Sequence, residues 1–267
     1  MNSKRFQLIA GSLLLIFVVA ACSFSPASKP AANTSAPAAA TNPPATNPPA
    51  SGGCTNAYFP TSSGSNWSYS SRGSVLGDYT FTRTVADVSD SGFTMNDLTS
   101  LAAGTSSAVK WNCQNGNLAA LDSGAGSLSV SSSNVKITST SVTADGYNVP
   151  NTFNAGTTWA EKVTVIGKVE SGNQTMDSQI VSDLNCSAAG AESITVAAGK
   201  FDTVKASCTE TIGVSELVQA TPVPAGVPSS LDITNWYAKG VGLVKSVRVN
   251  NSTGNTTTIV LTQYKIQ

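Results

Sequence analysis

Asp78-Tyr79-Thr80-Phe81-Thr82-Arg83-Thr84-Val85-Ala86-Asp87-Val88 sets Tyr79, Phe81 and Val85 against Thr80, Thr82 and Thr84. Side chains leave a strand on alternate sides, so this period of two predicts a strand with one buried face. The period recurs in both directions from here. Upstream, Asn66 to Ser71 turns Trp67 and Tyr69 to one side. Downstream come Phe93 to Leu98, Ala108 to Cys113, and Asn117 to Leu121 after an Asn115-Gly116 hairpin turn. Val135 to Thr143 is rich in Ser and Thr, and Trp159 to Val169 puts Trp159, Val163 and Val165 on one face. Gln174 to Leu184, Ser193 to Val196 and Phe201 to Ile212 form a further meander, followed by a Pro-rich loop from Ala220 to Ser230. Ile233 to Ala238, Val241 to Val249 and Thr256 to Ile266 close the chain. No stretch keeps a helical period for three turns, and about a dozen short strands predict an all-β domain. Without helices to cover a sheet, its faces must cover one another. The expectation is a curved antiparallel sheet folded on itself, as a sandwich or a half-barrel.

The first 53 residues follow other rules. Lys4 and Arg5 precede an apolar run from Phe6 to Val19, then small residues lead to Cys22. This is the pattern of an export signal over residues 1–21. The run is too short for a lasting span of the ~30 Å hydrocarbon core. Residues 22–53 hold almost only Ser, Ala, Pro, Asn, Thr and Gly, with Thr41-Asn42-Pro43-Pro44-Ala45 nearly repeated from Thr46 to Ala50. Such a segment has too little apolar surface to offset its ordering entropy, which predicts a disordered tether. The chain therefore divides into a signal (1–21), a tether (22–53) and one domain (54–267). The break from Asn151 to Gly156 falls inside that domain and is not taken as a boundary.

Charge and residue usage restrict the chemistry. All 15 acidic residues follow the tether, while three of the 15 basic residues (Lys4, Arg5 and Lys29) precede the domain. The domain is thus about three charges negative with no basic stripe, which argues against a nucleic-acid partner. The chain has no histidine. That removes His-based acid–base and nucleophilic catalysis and ordinary zinc sites, so a non-enzyme without cofactor is expected. Four cysteines follow Cys22: Cys54, Cys113, Cys186 and Cys208. An even number in an exported chain predicts two disulfides, of which Cys54–Cys113 and Cys186–Cys208 are preferred among three connectivities because each stays within one half of the domain.

Val19-Ala20-Ala21-Cys22 resembles the lipobox of bacterial lipoproteins. The resemblance implies that Cys22 carries a diacylglyceryl group and an acyl chain of the palmitate type, giving stable anchoring by several chains. Three segments resemble a family of bacterial surface lipoproteins of unknown function. Tyr58-Phe59-Pro60 with Gly64-Ser65-Asn66-Trp67-Ser68-Tyr69 is similar to its opening, Val196-Ala197-Ala198-Gly199-Lys200-Phe201 to its "VPAGxF" hairpin, and Trp236 to Lys245 to its closing "WYAxGVGLVK" hairpin. Ala197 stands where that family has proline. The likeness extends distantly to half-barrel carriers of lipids and lipoproteins.

Candidate sites within the domain are few. The aromatics Tyr58, Phe59, Trp67, Tyr69, Trp111, Trp159, Trp236 and Tyr237 suit a core better than a ligand pocket. Gly240-Val241-Gly242 lies between two strands and reads as a hairpin turn, not a phosphate loop. Asp87, Asp90 and Gly92, with Asn96 and Asp97, offer oxygen ligands but miss the EF-hand spacing. The expected function is a membrane-anchored, extracytoplasmic binding or interaction module, its partner an envelope component. The alternative is a carrier of an apolar small molecule, which predicts a deep apolar cavity; an enzyme predicts converging carboxylates or a Ser-Lys pair.

Overall fold

Alternation is realised strand by strand. In a computed structural model, residues 54–101, 106–121, 135–171, 174–218, 221–224 and 228–267 are described. The signal, Cys22 and the tether lie outside the described residues. The strands are β1 (Asn66–Arg72), β2 (Tyr79–Ala86), β3 (Gly92–Thr99), β4 (Ser106–Gln114), β5 (Asn117–Ala120), β6 (Val135–Gly146) and β7 (Thr158–Ser171). They continue as β8 (Gln174–Val196), β9 (Gly199–Val218), β10 (Thr221–Pro224), β11 (Ser229–Ala238), β12 (Gly242–Asn250) and β13 (Thr256–Lys265). One antiparallel sheet runs β5-β4-β3-β2-β1-β13-β12-β11-β9-β8-β7-β6, with β10 beside β9. Nearly every neighbour is a hairpin partner. The exceptions are β1 with β13, which joins the two ends of the domain, and β9 with β11, between which β10 turns back.

The sheet curls nearly shut, and its edges β5 and β6 do not ladder with each other. Residues 147–150, which follow β6, bridge the gap. Leu118 N–H donates to the Val149 carbonyl at 2.9 Å, while Asn148 and Val149 N–H donate to the Leu118 carbonyl at 2.8 and 3.0 Å. Near closure removes most of the exposed ladder that an open sheet would present. Of the two architectures open at the level of sequence, the barrel is the one adopted.

One end of the barrel is capped. Residues 54–61 and 147–157 cross it, fixed by the Cys54–Cys113 disulfide. Asn56 Nδ2 donates to the Gly116 and Pro150 carbonyls at 2.8 and 2.9 Å, and Thr61 Oγ1 donates to the Cys54 carbonyl at 2.7 Å. The Asn115-Gly116 turn has positive φ at both residues (51° and 77°), as a two-residue hairpin of this hand requires. A Cβ on Gly116 would lie 2.8 Å from the Thr55 carbonyl oxygen, so the turn and the cap need glycine there. Phe59 packs against Phe93 and Trp111, and Phe153 against Tyr58, Trp159 and Tyr237, with ring centroids 4.9–5.9 Å apart. The opposite end, the mouth, carries the β1–β2 and β12–β13 turns, and β7, β8 and β9 run on past it with Val163, Val165, Ile180 and Ile212 in a separate small core.

Two expectations need correction. Gln174–Leu184 and Ser193–Val196 are one strand, β8. The weak β-formers between them are carried by a bulge between Ala188 and Gly190, where Gly190 has φ 115°. The Pro-rich loop contains a strand, since β10 pairs Thr221–Pro224 with Ser215–Val218 of β9. Proline lacks the N–H for a central ladder but is tolerated in a short strand at the margin. The break at 151–156 is part of the cap, and the sheet on either side is continuous in hydrogen bonding.

Candidate functional site

Below the cap, the inward positions of several strands carry charge. Phe81, Arg83 and Val85 share a face of β2, and Met95 and Asp97 share one of β3. Arg83 lies opposite Asp97 in the ladder. Arg83 Nε and Nη2 donate to Asp97 Oδ1 and Oδ2 at 2.8 and 2.7 Å, a bidentate pair whose side chains are 26% and 19% exposed. Burial works against the Arg83 cation, but Asp97, by charge and by hydrogen bonding, outweighs it and holds the guanidinium above its ordinary value.

Across the barrel, β7, β8 and β9 place Glu161, Leu184 and Glu210 in one cross-strand row. Glu161 is 4% exposed and Glu210 5%. Glu161 Oε1 accepts the Ala120 N–H at 2.8 Å and Oε2 accepts from Asn148 Nδ2 at 3.1 Å. One carboxylate thus ties β7 to edge strand β5 and to the bridging segment, so it is a clasp across the seam. Glu210 Oε1 accepts from Ser182 Oγ at 2.7 Å. Arg248 on β12 faces the same interior.

These groups surround a cavity of about 160 Å³, walled also by Phe59, Trp111, Trp159, Asn235 and Tyr237. Asn235 Nδ2 donates to the Tyr237 hydroxyl at 3.3 Å. Burial pushes the Tyr237 phenol up to about 12, with Arg248, Arg83 and the Asn235 hydrogen bond opposing the shift. Burial likewise raises the Tyr69 phenol, against the nearby Arg83. Both phenols are neutral donors at physiological pH. Two buried polar atoms of lining residues, Asn235 Oδ1 and Trp111 Nε1, have no protein hydrogen-bond partner. Buried polar atoms in native proteins are nearly always paired, so an acceptor on β11 and a donor on β4, left open on residues that line the cavity, mark places for a polar guest or ordered water. A cavity near 150 Å³ has room for about one benzene-sized molecule, well below the ~300–1,000 Å³ of drug-sized ligand sites. The deep apolar cavity expected of a carrier is not what the described residues form.

The sequence-derived candidates fall in other places. Cys54 bonds to Cys113 in the cap, and Cys186 to Cys208 between β8 and β9 in the cavity wall. Cys22 lies outside the described residues. Asp97 is engaged by Arg83, while Asp87 and Asp90 lie in the β2–β3 turn; no group of three or more potential metal ligands occurs among the described residues. Gly240-Val241-Gly242 is the β11–β12 turn and seals the cap, with Gly240 N–H donating to the Ala57 carbonyl and Trp67 Nε1 to the Val241 carbonyl. Of the aromatics, Trp236 faces outward, stacked beneath Lys205 and Lys245 and donating from Nε1 to Glu192 Oε2 at 2.9 Å. Sequence reasoning missed Arg83, Glu161, Glu210 and Arg248. Its signal was available: Arg83 stands in the apolar parity of Phe81 and Val85, and Glu161 in that of Trp159 and Val163.

The three motif segments, distant in sequence, meet at the cap. Residues 58–69 form part of the cap and β1, 196–201 the β8–β9 hairpin, and 236–245 the β11–β12 hairpin. Ala198 N–H donates to the Leu261 carbonyl and Tyr69 Oη to the Leu243 carbonyl, binding these hairpins to β13 and β1.

No curated protein matches the chain in sequence. Among solved structures, a presumed lipoprotein from Parabacteroides distasonis ATCC 8503 is similar at a TM-score of 0.50 and 20% identity, covering 79% of this chain and 99% of its own. A presumed exported protein with a YmcC-like fold from Bacteroides fragilis NCTC 9343 aligns at a TM-score of 0.49 and 16% identity, over 79% of this chain and 100% of its own. The DUF3108-like family model matches residues 97–261, from Asp97 on β3 through Leu261 on β13, and so takes in Asp97, Glu161, Glu210 and Arg248 of the charged cavity but not Arg83. The chain belongs to the DUF3108-like family.

Proposed function

We propose that this chain is an exported lipoprotein, tied to a bacterial membrane through Cys22, whose barrel is a non-catalytic binding module. Its site is the charged cavity, and its ligand is a small polar molecule from the envelope space. The observation that carries the binding reading is the pair of unpartnered buried atoms, Asn235 Oδ1 and Trp111 Nε1, on the wall of a cavity already lined by charge. The non-catalytic reading rests on how the acids are used. Asp97 is held by Arg83, Glu161 by the Ala120 N–H and Asn148, and Glu210 by Ser182. Carboxylates so engaged support the fold and are poorly placed to exchange protons with a substrate. The anchor reading rests on Val19-Ala20-Ala21-Cys22 after the apolar run, and the description of the Parabacteroides relative as a lipoprotein agrees with it.

Two measurements test this reading. Cell fractionation places the wild-type chain with membranes and releases Cys22→Ala from them; an unchanged distribution contradicts the anchor. Native mass spectrometry of the oxidised chain from an export host shows a small polar adduct, lost on denaturation and reduced in Asn235→Leu. An adduct with the mass of a lipid contradicts the polar site and favours the carrier.

A further inference from the structure

The large apolar side chains that remain exposed are not scattered. Among the described residues they are Val75, Leu76, Leu98, Ile166, Val214 and Val218. All six lie on the mouth half of the barrel. Val75 and Leu76 form the tip of the β1–β2 turn, and Leu98 stands on the outward face of β3, one residue from its end. Ile166, Val214 and Val218 belong to the parts of β7 and β9 that run past the mouth. Single exposed apolar residues are ordinary, but six confined to one end are a pattern.

The tip is built. Gly73 N–H donates to Asp78 Oδ1 at 3.0 Å, Leu76 N–H to Ser74 Oγ at 3.2 Å, and Gly77 N–H to the Ser74 carbonyl at 2.9 Å. Gly73, at φ 73°, lies so close to β13 that a Cβ would fall 2.3 Å from the Thr256 carbonyl oxygen, so the turn is seated on the barrel. It holds Val75 out at 81% exposure with Leu76 beside it at 40% and exposed Arg72 at its base. Apolar tips backed by a cation suit the interface of a bilayer, with side chains among the acyl chains and the guanidinium at phosphate level.

We infer that the mouth end of the barrel, with Val75, Leu76 and the exposed apolar residues of β7 and β9, docks on the bilayer that carries the lipid anchor. The inference rests on the reading of Cys22 as that anchor. Cys54 lies at the capped end, so the mouth reaches the membrane only if the connecting chain can pass along the barrel. β1 has seven residues, or roughly 24 Å of strand. The 31 residues from Ser23 to Gly53 have a covalent reach on the order of 100 Å. The connection is ample.

The test uses the full lipidated chain, reconstituted in vesicles of phosphatidylethanolamine with phosphatidylglycerol, carrying an environment-sensitive fluorophore at Val75→Cys or, at the capped end, Ala155→Cys. Both chains should float with the vesicles. The probe at position 75 should emit as in an apolar medium and be quenched by nitroxides on the acyl chains, while that at 155 stays aqueous. Adding Leu76→Ser should lower the inserted fraction roughly tenfold; it alters an exposed side chain and leaves the core intact. A chain that floats while the probe at 75 reads water overturns the docking and spares the anchor. A chain that does not float overturns the anchor, and the docking with it.

Discussion

The capped end and the charged middle of this barrel are a few residues apart along every strand, yet they are held by different forces. The cap is an aromatic cluster threaded by a disulfide and by buried hydrogen bonds from Asn56. The middle is a set of acids and guanidinium groups that hold one another and the seam. Burial of large apolar surface stabilises without regard to direction, whereas buried charges stabilise only while every partner is in place. The cap should therefore lose stability in proportion to the surface removed. The middle should respond to whether partners are removed singly or together.

Phe59→Ala should have the largest effect, about 3–5 kcal/mol of unfolding free energy, because Phe59 joins the cap to Phe93 and Trp111 and cannot be replaced by neighbours. Denaturant titration measures it, and a loss under about 1 kcal/mol would show the cap to be an ornament on an independent barrel. The disulfides come next. Removing Cys54–Cys113, whose partners are 59 residues apart, should cost about 4 kcal/mol, and removing Cys186–Cys208, 22 apart, about 3. The order reverses if the ladder between β8 and β9 depends on its bond more than the cap does.

Asp97→Ala should cost about 3 kcal/mol by leaving Arg83 without its carboxylate, while Arg83→Met with Asp97→Leu should be nearly neutral. A double-mutant cycle gives the coupling directly. Simple additivity would mean that charge pairing in the middle adds nothing. The smallest effect is alkaline. The folded state keeps the Tyr237 proton up to about pH 12, whereas an unfolded phenol loses its own near 10. Stability from this group is complete below pH 10 and is lost as pH rises to about 12, roughly 2–3 kcal/mol. Tyr237→Phe should flatten that part of the pH profile. An unaltered slope would place the alkaline transition elsewhere.

The fold was legible because period-two patterning is local, and Phe81, Trp67 and Trp159 report their faces within a few residues. Closure was not. The pairing of β1 with β13 and the bridge from Leu118 to Val149 join segments far apart in the chain, and nothing near Leu118 announces Val149. The joining of Gln174–Leu184 to Ser193–Val196 was hidden because Ala188, Ala189 and Gly190 carry no strand pattern, and a bulge with Gly190 at φ 115° takes the strand through them. The site was half legible. Arg83 and Glu161 occupy slots that the surrounding apolar residues mark as inward, so a charge in an apolar parity was the clue. That these charges face one another depends on the barrel and could not be read before it.

The central claim is that the interior holds a small polar site and not a channel for an acyl chain. A high-resolution crystal structure of the chain purified from an export host tests it most directly, through the electron density between Arg83, Glu210 and Tyr237. Compact density within hydrogen-bond reach of Asn235 Oδ1 or Trp111 Nε1 is the predicted result. Continuous elongated density running from the mouth past displaced Arg83 and Arg248 side chains would contradict it.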